Sequence, residues 1–161
     1  VSEMDIHLID VQEQPVAGVR QRVRMDEITT VFDTAYPKVL GAIQQAGGVP
    51  AGAPYARYFG MPSDTVDVEV GFPVTEPFTA SGDVIGSTLP AARAAEAVHT
   101  GAYDTLPETY KVLEAWIAEH NLQVLDESWE IYEAGPDSDP DPATWRTRVV
   151  FPVSGPQVER S

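Results

Sequence analysis

Val66-Asp-Val-Glu-Val-Gly-Phe-Pro-Val74 places apolar side chains at Val66, Val68, Val70 and Phe72, with Asp67, Glu69 and Gly71 between them. This period-two alternation is the pattern of a strand with one buried face, the other turned to water or to a cleft. That second face is acidic. The ending of the stretch recurs, Phe72-Pro73-Val74 returning as Phe151-Pro152-Val153, which raises the question of whether the whole chain is duplicated.

Two further landmarks answer it. Tyr36-Pro-Lys-Val-Leu40 matches Tyr110-Lys-Val-Leu113 within helical patterns, and Tyr55-Ala-Arg-Tyr58 matches Trp129-Glu-Ile-Tyr132 within strand patterns. Matches in the same order at a nearly constant offset are the mark of an internal repeat. Each half reads strand, helix, strand, strand. The chain is therefore expected to be one domain over 1–161, with a first repeat over 4–74, a linker over 75–90 rich in Thr, Ser, Gly and Pro, and a second repeat over 91–153. The predicted class is α+β: duplicated β-α-β-β units joined into one antiparallel sheet, helices on one side and a cleft between the halves.

Strands are predicted over 5–11, 15–23, 55–59, 66–74, 128–133 and 145–153. The Ala-rich segment 94–101 fits helix or strand by composition, and its place in the repeat makes it a strand. Ile28, Val31, Phe32, Tyr36, Val39, Leu40 and Ile43 follow helical spacing over 25–45, closed by Gly47-Gly48, with a kink or a split expected at Pro37. A second helix carries Tyr110, Leu113, Trp116 and Ile117, with Asp104 or Thr105 as its cap, Pro107 in its first turn and Asn121 as its stop.

Composition narrows the function. Twenty-five acidic against 10 basic residues give a formal charge of −15, which opposes binding to a polyanion, so no direct nucleic-acid contact is expected. Cysteine is absent, which excludes disulfides, thiol catalysis and thiolate metal sites. His7, His99 and His120 show no ligand spacing, and neither metal nor cofactor is expected. No apolar run is long enough to span a membrane and no secretory signal is evident, so the expected location is the cytoplasm, without membrane contact.

His99-Thr-Gly-Ala-Tyr103-Asp104, Trp129-Glu-Ile-Tyr132 and Thr147-Arg-Val-Val-Phe-Pro-Val153 together resemble the GyrI-like small-molecule-binding domain, the family of gyrase-inhibitor-like proteins and of effector-binding domains of AraC- and MerR-type regulators. The resemblance covers about 4–153. It implies a duplicated β-α-β-β unit whose cleft takes bulky, often cationic and aromatic compounds. With no DNA-binding segment ahead of the first repeat, the chain is expected to be like the stand-alone members. The family carries a ligand-facing Glu where this chain has Arg148.

The predicted ligand-binding residues are Tyr58, Glu69, Tyr103, Trp129, Glu130, Tyr132, Trp145 and Arg148. Alternation puts Ile131 in the core and sends Glu130 and Tyr132 to the cleft, and the same count sends Tyr58 there, so a flat ligand would stack on Tyr58 and Tyr132. Glu69 and Arg148 hold equivalent places before the two Phe-Pro-Val endings. Glu69 is thus expected either to pair with Arg148 or to meet a ligand cation, and Trp145 and Tyr103 are expected at the rim. The expected activity is sensing or sequestration of hydrophobic, cationic or planar small molecules. The alternatives are a hydrolase that opens cyclopropane rings of DNA-alkylating natural products, with Glu69 or Glu130 as acid or base, and an acidic inhibitor docked on a protein partner such as a topoisomerase.

Overall fold

The computed structural model describes residues 6–60, 64–101, 105–125, 127–134 and 141–154. These form an α+β architecture in which every described strand pairing is antiparallel. The chain divides into two units, Gln12–Ala91 and Val1–Val11 together with Ala92–Ser161. The second therefore takes in the start of the chain.

In unit Gln12–Ala91 the elements are β2 (Gln14–Arg24), α1 (Ile28–Gln45), β3 (Tyr55–Phe59), β4 (Thr65–Pro73) and β5 (Ile85–Leu89), β1 being the first strand of the chain, Ile6–Val11. β4 lies between β3 and β2, and β5 closes the edge on β2. Residues 75–90, expected to be only linker, thus supply a strand. In the other unit are β1, β6 (Ala92–Thr100), α2 (Leu106–Glu119), β7 (Gln123–Val124), β8 (Glu127–Ala134) and β9 (Arg146–Ser154). There β9 lies between β8 and β6, and β1 closes the edge on β6. The two orders are the same, β3-β4-β2-β5 and β8-β9-β6-β1, which is the duplication in spatial form. Each unit completes its four strands with a segment outside the repeat read from the sequence.

Each helix buries one stripe, Val31, Ala35, Val39 and Ile43 on α1 and Thr109, Leu113 and Ile117 on α2, at the spacing that keeps side chains on one face. The repeated Phe has a physical reason. Tyr36 of α1 meets Phe72 edge-on at 5.8 Å between ring centroids, and Tyr110 of α2 meets Phe151 at 5.5 Å. In both units a helix tyrosine locks onto the last aromatic of the central strand. The core under α2 is Ala95, Ala97, Leu113, Ile117, Val149, Phe151 and Val153.

Pro37 neither splits nor ends α1, which runs through it as one helix. Pro37 and Asp33, whose carbonyl loses its donor, are both exposed, so that carbonyl has water available. Gly47 and Asn121 adopt positive φ, 85° and 60°, just beyond the two helices, as their predicted stop roles require. Thr105 is the N-cap of α2, but its hydroxyl makes no capping bond. Residues Tyr103 and Asp104 lie outside the described residues.

Candidate functional site

β4 departs from the half-wet strand expected of it. Val66, Val68 and Val70 are buried on the side where Phe72 meets α1, yet Glu69 on the opposite side is also buried, at 1% exposure. Its carboxylate is fully engaged within its own unit. The Tyr55 hydroxyl donates to Oε2, the Ser87 hydroxyl donates to Oε1 at 3.4 Å, and the Arg57 guanidinium lies 3.8 Å from Oε1. Arg57 also donates to the Thr88 carbonyl at 2.9 Å, tying β3 to β5. Burial first, and then the Glu69 charge, push the Tyr55 phenol far above its ordinary pKa, which keeps it a donor. Gly18 makes room for this bond, because a Cβ there would sit 2.6 Å from the Tyr55 oxygen. Tyr55→Phe is expected to lower stability by about 1–3 kcal/mol, since it leaves a buried carboxylate short of a donor; chemical denaturation measures it, and an unchanged midpoint would remove the tyrosine from the network.

Pairing with Arg148 is one of the two expectations for Glu69, yet the partners named above all belong to its own unit. Arg148 forks onto two other carboxylates, Glu96 at 2.7 Å and Glu133 at 2.7 Å. Glu96 lies on neighbouring β6, and Glu133 is the extra residue of a bulge in β8 between Tyr132 and Ala134. Position in the repeat correctly equates Glu69 with Arg148. It does not reveal that each has a counter-ion inside its own unit.

The two sides of β8 are the reverse of those expected from alternation. Glu130 stands opposite Val149 and Tyr132 opposite Thr147, and Val149 belongs to the core under α2. Directly paired residues point to the same side of an antiparallel sheet, so Glu130 and Tyr132 lie on the helix side, while Trp129 and Ile131 lie on the other. Trp129 is buried, at 2% exposure. Tyr58, paired with Val68, likewise lies on the helix side of its unit and is half-buried. Trp145 is half-buried just before β9, where its carbonyl accepts from the Gly101 amide at 2.8 Å.

Glu130 is buried, at 5% exposure, and the Tyr110 hydroxyl of α2 donates to its Oε2 while the Tyr132 hydroxyl donates to its Oε1 at 2.5 Å. Among the described residues no lysine or arginine forms a salt bridge with it. Burial raises its pKa above the usual carboxylate range, against the opposing pull of the two hydroxyl donors and of His99. His99 is itself buried, held by Thr109 Oγ1 at 2.8 Å from Nδ1 and Thr105 Oγ1 at 3.0 Å from Nε2. Thr147 stands in register with both His99 and Tyr132, and its buried hydroxyl has no partner among the described residues. Nothing in the sequence marks Tyr110, Thr109 or Thr147 as residues around Glu130. A tyrosine at core spacing on a helix reads as packing, and only the approach of α2 to β8 turns its hydroxyl toward Glu130.

Residues 4–154 match the GyrI-like small molecule binding domain. The chain belongs to that family. Among solved structures, the GyrI-like domain here is similar to the EcmrR C-terminal domain, at TM-score 0.79 and 22% identity over 95% of this chain and 99% of that one. It is also similar to EcmrR in its DNA complex, at TM-score 0.82 and 23% identity; it covers 95% of this chain and spans 58% of the longer one. A third similar structure is SAV2435 bound to tetraphenylphosphonium, at TM-score 0.69 and 14% identity over 94% of this chain and 95% of that one. At these identities the structures show a shared fold. No curated protein matches. Among the described residues no helix is long and apolar enough to cross a membrane.

Proposed function

We propose that this GyrI-like domain binds bulky hydrophobic or planar cations, with Glu130 compensating the ligand's charge and Tyr132 serving as an aromatic wall. The observation that carries the reading is Glu130, a buried carboxylate held by two tyrosine hydroxyls and lacking a Lys or Arg counter-ion among the described residues. An anion desolvated without a counter-ion is costly to hold empty and complements a cation that must itself shed water. Family membership supports the ligand class, and so does a relative of the same fold bound to tetraphenylphosphonium, a cation with no hydrogen-bond donor. Such a ligand is recognised by apolar walls, aromatic faces and one well-placed charge. Glu69, Arg148 and Trp129 are assigned to structure, because the first two are satisfied by their own partners and the third is buried.

Calorimetric titration with tetraphenylphosphonium tests the reading. Binding is expected with micromolar affinity, and Tyr132→Ala is expected to weaken it about tenfold, the loss of one aromatic and cation–π contact. Full affinity in the variant would remove the aromatic wall.

A second reading, ring-opening hydrolysis, draws on the same carboxylate. A buried Glu with a raised pKa retains its proton nearer to neutrality and can act as a general acid. Product analysis with a cyclopropane-bearing alkylator separates turnover from binding: turnover by the wild type that Glu130→Gln abolishes and Glu69→Gln preserves supports hydrolysis, and unchanged substrate excludes it.

A further inference from the structure

Resting on the cation-binding reading above, we infer that a bound cation and a proton compete for the Glu130 carboxylate, so that loading the site expels a proton. The geometry distinguishes Glu130 from four other carboxylates on the described strands. Asp67 accepts a two-point fork from Arg20, Glu69 lies beside Arg57, and Glu96 and Glu133 share Arg148. Each has a guanidinium as its permanent counter-ion. Among the described residues Glu130 has only hydroxyl donors, and hydroxyls can donate to a carboxylate or turn to accept from a carboxyl proton.

The groups that face Glu130 within its unit set the balance. Tyr110 faces it from α2, Tyr132 from its own strand and His99 from the β6 side. From β9 the neighbours are Thr147 and Val149, neither of which titrates. The ring nitrogens of His99 are both engaged by threonine hydroxyls. Burial favours the neutral acid in the empty site, in agreement with the raised pKa. A cation reverses this by stabilising the ionised form, and by linkage its affinity depends on pH to the extent that the proton must leave.

Two measurements test the exchange, and their failures are distinguishable. In the ligand-free protein, NMR of the glutamate side-chain carboxyls, assigned with Glu130→Gln, is expected to show Glu130 titrating well above the surface glutamates. A titration among those of the surface residues overturns the inference whether or not any ligand binds. In the second, tetraphenylphosphonium is titrated across a pH series in buffers of different ionisation enthalpy. Affinity is expected to rise about tenfold per pH unit while Glu130 is protonated, with close to one proton released, and to level off above that range. The uncharged triphenylphosphine oxide should show no such slope, and Glu130→Gln should bind the cation weakly and without pH dependence. A flat profile in a wild-type protein that still depends on Glu130 would overturn the exchange and leave the binding site standing. A slope that vanishes in His99→Gln but persists in Glu130→Gln would assign the proton to the imidazole and overturn the inference. No binding of the cation at any pH would overturn both readings.

Discussion

Gly71→Ala is expected to abolish folding or to lower stability by about 4 kcal/mol or more, the range reached when added volume has nowhere to go. A Cβ at Gly71 would lie 1.9 Å from the Ala17 carbonyl oxygen and 2.6 Å from the Gly18 Cα. Both obstructing groups are backbone atoms of β2, which is paired to β4 from Val16↔Pro73 to Arg24↔Thr65. A side chain can rotate away from an added methyl, but a paired strand can yield only by giving up ladder hydrogen bonds. The same displacement would pull Gly18 from beneath the Tyr55 hydroxyl and disturb the Glu69 network. Chemical denaturation and yield of soluble protein measure the effect. Gly41→Ala, where an added Cβ meets nothing within 4 Å in the middle of α1, is the matched control and should be neutral or stabilise by about 0.5–1 kcal/mol. Equal behaviour of the two variants would show that the close approach of β2 and β4 is not a constraint.

Glu130→Gln is expected to reduce the affinity for tetraphenylphosphonium about 100-fold, the loss that follows when one partner of a desolvated charge pair is removed. The same substitution should stabilise the empty protein at neutral pH. The sign follows from the direction of the pKa shift. Folding raises the pKa of Glu130, so the favourable contribution of the neutral acid is fully present below the unfolded-state pKa and is lost as pH rises through the higher folded-state value. Glutamine carries no charge to desolvate, so its advantage over the wild type should appear as pH rises and shrink toward zero in acid. Thermal unfolding of both proteins across a pH series is the measurement. A variant that binds the cation as tightly as the wild type would remove Glu130 from the site, and one that is less stable at neutral pH would show that the two tyrosines fully compensate the buried charge.

The two effects have different sources, and only one was foreseeable. Gly71 was visible as a small residue on the acidic side of β4, but nothing in VDVEVGFPV tells that β2 passes within contact of it. The sequence singles out Glu130, but alternation assigns it to the wrong side of β8. Alternation along a strand fixes which residues share a side but not which side faces the helix. Ile131, an apolar residue, was the natural choice for the core, whereas the register of β8 on β9 sets Glu130 beside Val149. The helix side of the sheet is therefore where the polar cluster of Glu130, Tyr110, Tyr132, His99 and Thr147 lies.

The sequence by itself determined both helices, most strands, the duplication and, through its motifs, the family, because hydrophobic period, helix stops and repeated landmarks are all local or ordered along the chain. Tyr36 and Tyr110, Phe72 and Phe151, and Tyr58 and Tyr132 could be paired by inspection, and the equal strand order of the two units bears this out. The tertiary structure alone decided the partners of the charges and the completion of each unit by a strand from outside its repeat. Glu69 and Arg148 are equivalent in the repeat, but a salt bridge depends on distances of a few ångströms between residues far apart in sequence, and those distances are set by strand register. That register gives Glu69 its Arg57 and Arg148 its two glutamates, and among the described residues it leaves Glu130 with tyrosine hydroxyls in place of a counter-ion.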